Sequence, residues 1–240
     1  MYDRPIIPES IVCDPCDAAV QGSGLTSTPM MLERMLEGLP LVRRRVRRRQ
    51  YVFRAGQPRH GLYLIHSGFY KTRVISEDGR EKVTGFRLRG DLLGLEALDL
   101  PTYTCDAIAL DVGEIWELPQ SYLRERLPEF QECLTAALAG EIRRDWNWML
   151  VLGSLNAEQR VVSFLLDLSI RLSALGFSST SMLLRMTRAD VGNFLALQLE
   201  TVVRALHRLQ AQGLIEVERR QIRILDLQRL RAQVALTALH

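Results

Sequence analysis

Residues 187–214 read TRADVGNFLALQLETVVRALHRLQAQGL, and this stretch predicts two short helices joined by a tight turn. Thr187 and Asp190 have the spacing of a capping box, in which two side chains bond backbone N–H groups at a helix start. We place the first helix at about 187–195 and the second at about 198–212, because apolar residues recur there at three- and four-residue intervals. The stretch therefore predicts a helix-turn-helix.

The second predicted helix has two different faces. One face is apolar and is predicted to pack on the core. It consists of Val202, Leu206 and Leu209. The other face begins near the helix N-terminus and is polar apart from one valine. It consists of Glu200, Val203, Arg204 and His207.

The polar face has the chemistry of a DNA-reading surface. Arg204 can donate two hydrogen bonds to a guanine edge, Glu200 can accept one from cytosine, and Val203 can pack on a thymine methyl group. A helix with such groups near its N-terminus usually reads the major groove. We therefore predict these three residues as base readers and double-stranded DNA as the partner. The alternative is a surface ion pair between Glu200 and Arg204, which their four-residue spacing also allows.

Other residues near this stretch are suited to the phosphate backbone. Residues 214–217 and 222–225 alternate around a polar turn and predict a small hairpin, or wing. Phosphate contacts position a protein on the duplex and set affinity rather than sequence preference. The predicted backbone contacts are Thr187, Arg188, His207, Arg219 and Arg220.

The chain upstream divides into a tail and a β-rich segment. Residues 1–28 contain proline, glycine, serine and threonine without periodicity and predict a flexible tail. Residues 29–127 start with a short helix at about 29–39 and continue as β-prone runs separated by glycines, which predicts an all-β roll or barrel. Asp78-Gly79, between two such runs, predicts a hairpin.

Residues 128–154 predict one long helix with an apolar stripe. A helix of about 25 residues spans roughly 38 Å, more than a small domain needs for its own core. Such helices commonly pair with a copy of themselves, and the alternative is a core helix lying across the roll. Residues 155–240 then form the DNA-binding unit. The predicted fold class is α+β, with an N-terminal β-roll, a long dimerisation helix and a C-terminal winged helix-turn-helix.

Composition excludes several classes of protein. No apolar run is long enough for a bilayer and no signal peptide is evident, so neither a membrane partner nor export is expected. Four unevenly spaced cysteines fit a reducing cytoplasm. Phosphate-loop, zinc-protease and nucleophile-elbow motifs are missing from the sequence, so we do not expect an enzyme. Residues 155–240 carry eleven arginines against seven acidic residues. This charge indicates a polyanionic partner, and a solvated basic surface is the alternative.

These motifs resemble the CRP/FNR family of bacterial transcription regulators, and especially its FNR branch. The resemblance covers roughly residues 40–225. It is carried by residues 85–94, 140–142, 156–160, 186–195 and 199–204. The resemblance implies a cyclic-nucleotide-binding-like roll, a homodimer on a palindromic site and contact with RNA polymerase. It also implies that Glu200 and Arg204 read base pairs. Val203 stands where FNR-type proteins have serine, and Gln198 where they have a serine or threonine helix cap, so the half-site sequence is left open at the Val203 position.

The resemblance also implies what a sensor site would need. In the family, an acidic residue and an Arg-Ser pair bind a cyclic nucleotide. Glu96 can fill the first role, but Tyr103 and Thr104 stand at the pair and offer no guanidinium to a phosphate. Cyclic-AMP binding of the usual type is therefore not expected.

The cysteines also depart from the FNR pattern, in which three N-terminal cysteines and one in the roll hold a [4Fe–4S] cluster. This chain has Cys13 and Cys16 without a third N-terminal cysteine, and Trp116 stands at the roll position. Because such a cluster needs four ligands, we expect no cofactor and two inert thiols in the tail. Three alternatives stay open: a cluster on Cys13, Cys16 and Cys105 with Asp17, a redox-active dithiol at Cys13 and Cys16, or haem on His60 or His66.

The predicted dimer interface follows the stripe of the long helix. Its residues are Leu138, Ile142, Asp145, Trp146 and Met149. Asp145 matches an acidic residue that, in FNR-type proteins, repels its symmetry mate until the sensor is loaded. Trp146 and Trp148 add apolar area that offsets this repulsion, so the chain is predicted to dimerise without a cluster.

Two surface features and one alternative function remain to be described. The segment Arg43–Arg49 holds six arginines, and we interpret it as a solvated edge of the roll rather than a nucleic-acid patch. The tip Ser76–Glu81 matches a family surface that touches RNA polymerase, although Arg80 replaces an acidic residue there. The rival is a metabolite-binding regulatory module that acts by protein contact without binding DNA.

Overall fold

The computed structural model of the protein describes residues 32, 33, 36, 41–119 and 127–235. The predicted tail at 1–28, with Cys13 and Cys16, lies outside these residues. So does most of the predicted helix at 29–39, of which Leu32, Glu33 and Leu36 are described and helical.

Eight strands form the N-terminal roll. They are β1 (Val42–Val46), β2 (Tyr51–Phe53), β3 (Gly61–Ser67), β4 (Tyr70–Ile75), β5 (Glu81–Arg87), β6 (Leu92–Leu93), β7 (Asp106–Ala109) and β8 (Gly113–Pro119). They make two antiparallel four-stranded sheets, ordered β1-β8-β3-β6 and β2-β7-β4-β5. A core containing Phe53, Tyr63 and Tyr103 lies in the roll. The hairpin prediction is confirmed, since Ile75 pairs with Glu81 around Gly79 at φ 81°.

Helix α1 (Leu127–Ser154) has 28 residues and two different environments. Phe130 and Cys133 in its first half are buried against Leu62, Leu64 and other residues of the roll. Leu138 is half-buried in the same cluster. The second half carries exposed apolar side chains, among them Trp146 (64% exposed) and Met149 (69% exposed). The alternative of a core helix lying across the roll therefore describes the first half, and pairing of the second half with a copy of the chain stays a prediction.

The remaining elements build the C-terminal unit. They are α2 (Ala157–Ala174), β9 (Ser181–Leu183), α3 (Arg188–Leu195), α4 (Leu199–Ala211), β10 (Ile215–Glu218), β11 (Gln221–Ile224) and α5 (Leu227–Ala235). The predicted wing is present as the β10–β11 hairpin. Strand β9 adds a third strand to it, and neither β9 nor α5 follows from the sequence periodicity.

The roll and the C-terminal unit share one hydrophobic core. Phe86 of β5 makes edge-to-face contacts with Phe164 of α2 and Phe194 of α3, at centroid distances of 5.7 and 5.3 Å. Trp148 of α1 also packs on Phe194, at 4.7 Å. The expectation that Trp148 adds area to the dimer stripe was wrong, because its ring is half-buried against this inner core.

Polar contacts fix the same junction. The Asn193 side chain accepts a hydrogen bond from the Val83 N–H (2.6 Å) and donates one to the Glu81 carbonyl (2.8 Å). Lys82 donates to the Asn193 and Phe194 carbonyls at the C-terminal end of α3. A cation at this end of a helix also complements the helix dipole. In parallel, Asp91 of the roll pairs with Arg171 of α2 at 2.7 Å.

We expect Asn193→Ala to lower the free energy of unfolding by about 1–3 kcal/mol, because the Val83 N–H loses its acceptor in a partly buried site. Chemical denaturation followed by tryptophan fluorescence measures this loss. Gln228→Ala, at an exposed position of α5, is the control and should change stability by less than about 0.5 kcal/mol. Equal effects of the two substitutions would show that the Asn193 side chain does not hold the junction.

Candidate nucleic-acid interface

A tight turn sets the angle between α3 and α4. Thr187 caps α3 in a reciprocal capping box with Asp190, as the sequence predicts. The Leu197 N–H donates to the Gly192 carbonyl at 2.8 Å, and Ala196 adopts a left-handed conformation at φ 54°. A Cβ on Gly192 would lie 2.7 Å from the Leu197 carbonyl oxygen. The turn therefore requires glycine at 192.

Asp190 does more than cap the helix. Its carboxylate also accepts a hydrogen bond from Lys71 of β4 at 2.6 Å. Although burial acts to raise the pKa of Asp190, the bonds from Lys71 and Thr187 lower it overall. The start of α3 is thus attached to the roll through a charged group that stays ionised.

Helix α4 has the two faces that its spacing predicts. Val202, Leu206 and Leu209 are buried, together with Ala205. The opposite face is turned away from the protein, with Glu200, Arg204 and His207 exposed and Val203 half-buried. The surface-pair alternative is not observed, because Arg204 donates to Thr201 at 3.4 Å and forms no ion pair with Glu200, both residues lying in the described part of the chain.

The N-terminus of α4 is open. Gln198 is its N-cap residue and makes no side-chain capping bond. The first N–H groups of a helix have no intrahelical partner, and they favour an anion there. The Thr201 N–H donates to the Gln198 carbonyl at 3.0 Å, and without a capping side chain the N–H groups before it are left for solvent or for a phosphate.

The predicted phosphate residues meet where α3 begins beside the wing. The Arg188 guanidinium donates to the Arg219 carbonyl at 3.2 Å. Arg219 lies at the wing tip with φ 53°, next to Arg220. Burial, and then the charge of Arg220, lower the pKa of Arg188. An anion placed between these guanidinium groups would relieve their repulsion. His207 lies apart from this cluster, exposed on α4.

The sensor residues of the roll do not form a phosphate site. Tyr103 is buried, stacks on Phe53 with a centroid distance of 3.8 Å and donates its hydroxyl to the Gly61 carbonyl. Glu96 accepts a bond from the Cys105 thiol at 3.2 Å. Glu96 and Asp145 line a cleft of about 170 Å³ between the roll and α1. Arg87 in this cleft is paired with Glu141 of α1, so the lining offers no free cation.

Cys105, Cys133 and His66 have structural contacts. Burial, and then Glu96, raise the pKa of the Cys105 thiol, and burial raises that of Cys133, so neither readily becomes a thiolate ligand. His66 bonds Glu33 at 2.6 Å and stacks on Trp116, whereas His60 is exposed. Within the described ranges, no group of three or more His, Cys, Asp or Glu side chains is placed to hold a metal ion.

Neither Asn193 nor Lys82 was identified as functional from the sequence. Both act across 110 or more residues of chain, and nothing in the local pattern of either segment signals the contact.

Within the described residues, no helix has an apolar stretch sufficient to cross a membrane.

Comparison with known proteins agrees with this arrangement. Residues 43–129 match the family model of the cyclic nucleotide-binding domain, and residues 159–233 match that of the Crp-like helix-turn-helix domain. The chain is 38% identical over 186 residues to the transcriptional activator protein anr of Pseudomonas aeruginosa, which covers 76% of each protein. It is 38% identical to the anaerobic regulatory protein of Pasteurella multocida, over 76% of this chain and 68% of that protein.

The fold is similar to that of FixK2 from Bradyrhizobium japonicum. The two structures align with a TM-score of 0.73 and 31% identity, over 81% of this chain and 97% of FixK2. A transcriptional regulator of the CRP family from Thermus thermophilus, at 23% identity and a TM-score of 0.67, shares the fold.

We expect Gly192→Ala to destabilise the C-terminal unit by about 1–3 kcal/mol, since the new methyl group collides with the Leu197 carbonyl and forces the turn apart. Thermal unfolding followed by circular dichroism measures the effect. Gly153→Ala in α1 is the matched control, because a Cβ there meets nothing within 4 Å. It should leave stability unchanged or raise it by up to about 1 kcal/mol. A Gly192→Ala protein as stable as the control would mean that the turn has room for a side chain.

Proposed function

The chain belongs to the CRP/FNR family of DNA-binding transcription regulators, and from this we propose that it binds a palindromic duplex site as a homodimer with α4 of each protomer in a major groove. The observation that carries the proposal is the outward face of α4, on which Glu200 and Arg204 are exposed and Val203 is half-buried, while the other face of the helix is buried. The three side chains stand at the N-terminal end of α4, where recognition helices contact base edges.

The proposed contacts divide by role. Arg204 reads guanine, Glu200 accepts from cytosine, and Val203 packs on a thymine methyl group, which a serine would do less well. Thr187, Arg188, Arg219 and Arg220 bind phosphates on one side of the groove, with His207 as a further contact from α4. The rival function, a regulatory module that does not bind DNA, gives no reason for this surface.

Dimerisation is proposed through the second half of α1. Ile142, Trp146, Met149 and Leu150 are exposed there and form an apolar stripe that would be costly in a monomer. Burial, and then Glu141, raise the pKa of Asp145 in the same segment.

For the sensor we propose regulation without a resident iron–sulfur cluster, haem or cyclic nucleotide. Cys105 and His66 are engaged within the roll, and the cleft beside Glu96 is lined by acidic groups that would repel a phosphate. Control then acts through another effector at the roll or through Cys13 and Cys16.

The remaining partners follow from the family. We propose RNA polymerase as the protein partner, with the β4–β5 tip as one contact, where Arg80 forms an ion pair with Asp78. We propose that the protein has no enzymatic activity. A regulator of bacterial promoters acts in the cytoplasm, where its DNA lies.

We expect Arg204→Ala to weaken binding to an FNR-type palindrome by about 1–3 kcal/mol and to abolish discrimination at one base position of each half-site. Fluorescence anisotropy with a set of single-base variants measures both effects. Arg208→Ala is the matched control, since Arg208 lies in the last turn of α4 near Glu158. It removes the same charge and should leave the base preference intact. Failure of the wild-type protein to bind at low salt would refute the proposed function.

We expect the protein purified in air to sediment as a dimer. Burial of the apolar stripe on α1 favours dimerisation, and this does not depend on an iron–sulfur cluster. Trp146→Glu should shift it to monomer in analytical ultracentrifugation. Phe177→Glu is the control, since Phe177 is 63% exposed in the loop after α2. A monomeric wild type, or a dimer unaffected by Trp146→Glu, contradicts the interface.

A further inference from the structure

Only two of the 31 lysine and arginine residues of the chain are lysines, and both bind helix α3. Lys71 of β4 donates to the Asp190 carboxylate in the first turn of α3 at 2.6 Å. Lys82 of β5 donates to the Asn193 and Phe194 carbonyls near the other end of the helix, at 2.7 and 3.0 Å. A reaction that removes the charge of a lysine would therefore act on the attachment of α3 to the roll.

Lys71 differs from Lys82 because it lines a cleft of about 240 Å³ between the roll and the C-terminal unit. The Lys71 side chain is 13% exposed. Among the described residues that line the cleft, Lys71 is the only lysine. The others include, from the two sides of the cleft, Arg48, Arg49, Tyr51, Thr187 and Asp190. A small molecule in this cleft therefore meets one of the two lysines.

The cleft also offers two unpaired guanidinium groups. In the run Arg43–Arg49, Arg44 pairs with Glu117 at 2.8 Å, and the interpretation of the run as an edge of the roll fits this part of it. Arg48 and Arg49 follow in the turn between β1 and β2, the β1–β2 turn, where both are exposed. They take part in no ion pair among the described residues. Guanidinium groups bind phosphate oxygens strongly, so the cleft suits a small phosphate compound.

The backbone of the β1–β2 turn is fixed beside the cleft. The Arg49 N–H donates to the Ala109 carbonyl of β7 at 2.7 Å, and the Ala109 N–H donates to the Gln50 carbonyl at 2.9 Å. Arg49 adopts φ 68° in this turn. The two arginines are thus carried by a turn whose position is set by the sheet.

Two carboxylates next to the Lys71 amine can accept its proton. The Lys71 Nζ lies 2.6 Å from Asp190 and 3.1 Å from Glu81. An ammonium group must lose a proton before its nitrogen can attack a carbonyl carbon, and a carboxylate in contact can take that proton. Each carboxylate keeps another partner, since Glu81 also pairs with Arg73 and Asp190 also bonds Thr187.

We propose that Lys71 is a site of acylation by acyl phosphates, whose phosphate group binds Arg48 and Arg49 in the cleft. The Lys71 Nζ attacks the acyl carbon and forms an N–C bond, while the bond from this carbon to the phosphate oxygen breaks and its electron pair leaves with the phosphate. Of the three Nζ protons, one stays on the new amide, one leaves on the phosphate, and one passes through a carboxylate to solvent. This chemistry goes beyond the proposed function and does not depend on it.

Acylation would release the first turn of α3 from the roll. An acylated Lys71 is neutral and no longer pairs with Asp190, whose side chain is only 14% exposed. Removing one partner of such a pair is costly, because the remaining charge is left poorly solvated. The capping box with Thr187 does not involve Lys71, so α3 still begins at the same residue. The effect of this release on DNA rests on the proposed function.

The comparison of the two lysines with two acetyl donors tests the site. One donor is acetyl phosphate, and the other is the uncharged N-hydroxysuccinimide ester of acetic acid. Peptide mass spectrometry measures the rate of acetylation at Lys71 and at Lys82. Burial, and then the charge of Arg160, lower the pKa of Lys82, which favours its reactive neutral form. A preference for Lys71 that is specific to acetyl phosphate therefore reports binding of the phosphate in the cleft.

The ratio of the Lys71 rate to the Lys82 rate should be at least about tenfold higher with acetyl phosphate than with the ester, since a cationic cleft concentrates an anion by this factor or more. Arg48→Gln/Arg49→Asn should abolish this difference, and asparagine tolerates the positive φ at position 49. Arg45→Gln is the matched control, at an exposed position of β1 outside the cleft, and should retain it. Equal ratios with the two donors, or a difference that survives loss of both cleft arginines, would overturn the inference.

The consequence for α3 is tested by DNA binding before and after treatment with acetyl phosphate. Treatment should weaken binding of the wild type to an FNR-type palindrome by about fivefold or more, a usual size for coupling between two sites. Lys71→Arg keeps the positive charge, and its guanidinium stays protonated, so treatment should not change its affinity. An equal change in both proteins would refute the release of α3. A wild type that does not bind the palindrome at low salt before treatment refutes the proposed function, whereas the acetylation rates still decide the site.

Discussion

The attachment of α3 to β5 is the constraint on which the rest of the structure depends. Asn193 completes hydrogen bonds to two backbone groups of the hairpin, Lys82 binds the carbonyls at the end of the helix, and Phe86 and Phe194 share a core. The sensory roll and the DNA-reading unit are thereby parts of one packed body. A movement of β5 would therefore displace α3, and the tight turn would transmit this displacement to α4.

Some residues at the start of α3 take part in more than one of these contacts. Asp190 caps α3 and binds Lys71, so one carboxylate both begins the helix and holds it to the roll. Thr187 takes part in the same capping box and lines the cleft with Arg48 and Arg49. The N-terminal end of α3 is thus where the helix-turn-helix, the wing and the roll come together.

Helix α1 has two environments along its length. Its first half buries Phe130 and Cys133 against the roll, and its second half leaves Ile142, Trp146 and Met149 in solvent. The cleft between the roll and α1 lies beside Glu96, and its charged side chains are acidic or already paired. The fold is that of a cyclic nucleotide-binding domain, whereas Arg87, the cation in the lining, is already paired with Glu141.

The amino-acid sequence by itself determined most of the elements and the two faces of α4, because both depend on local periodicity and capping. Strand β9 and helix α5 do not follow from it. The spacing of Val202 and Leu206 against that of Glu200 and Arg204 fixes the buried and exposed faces of α4, and the Thr187 capping box fixes where α3 starts. Only the tertiary structure decided which exposed charges stand together. It turned Trp148 inward, brought Lys82 to the end of α3, and placed the β1–β2 turn beside Thr187. These contacts join residues far apart in the sequence, and their energy comes from desolvation and pairing across the fold, which no local pattern encodes.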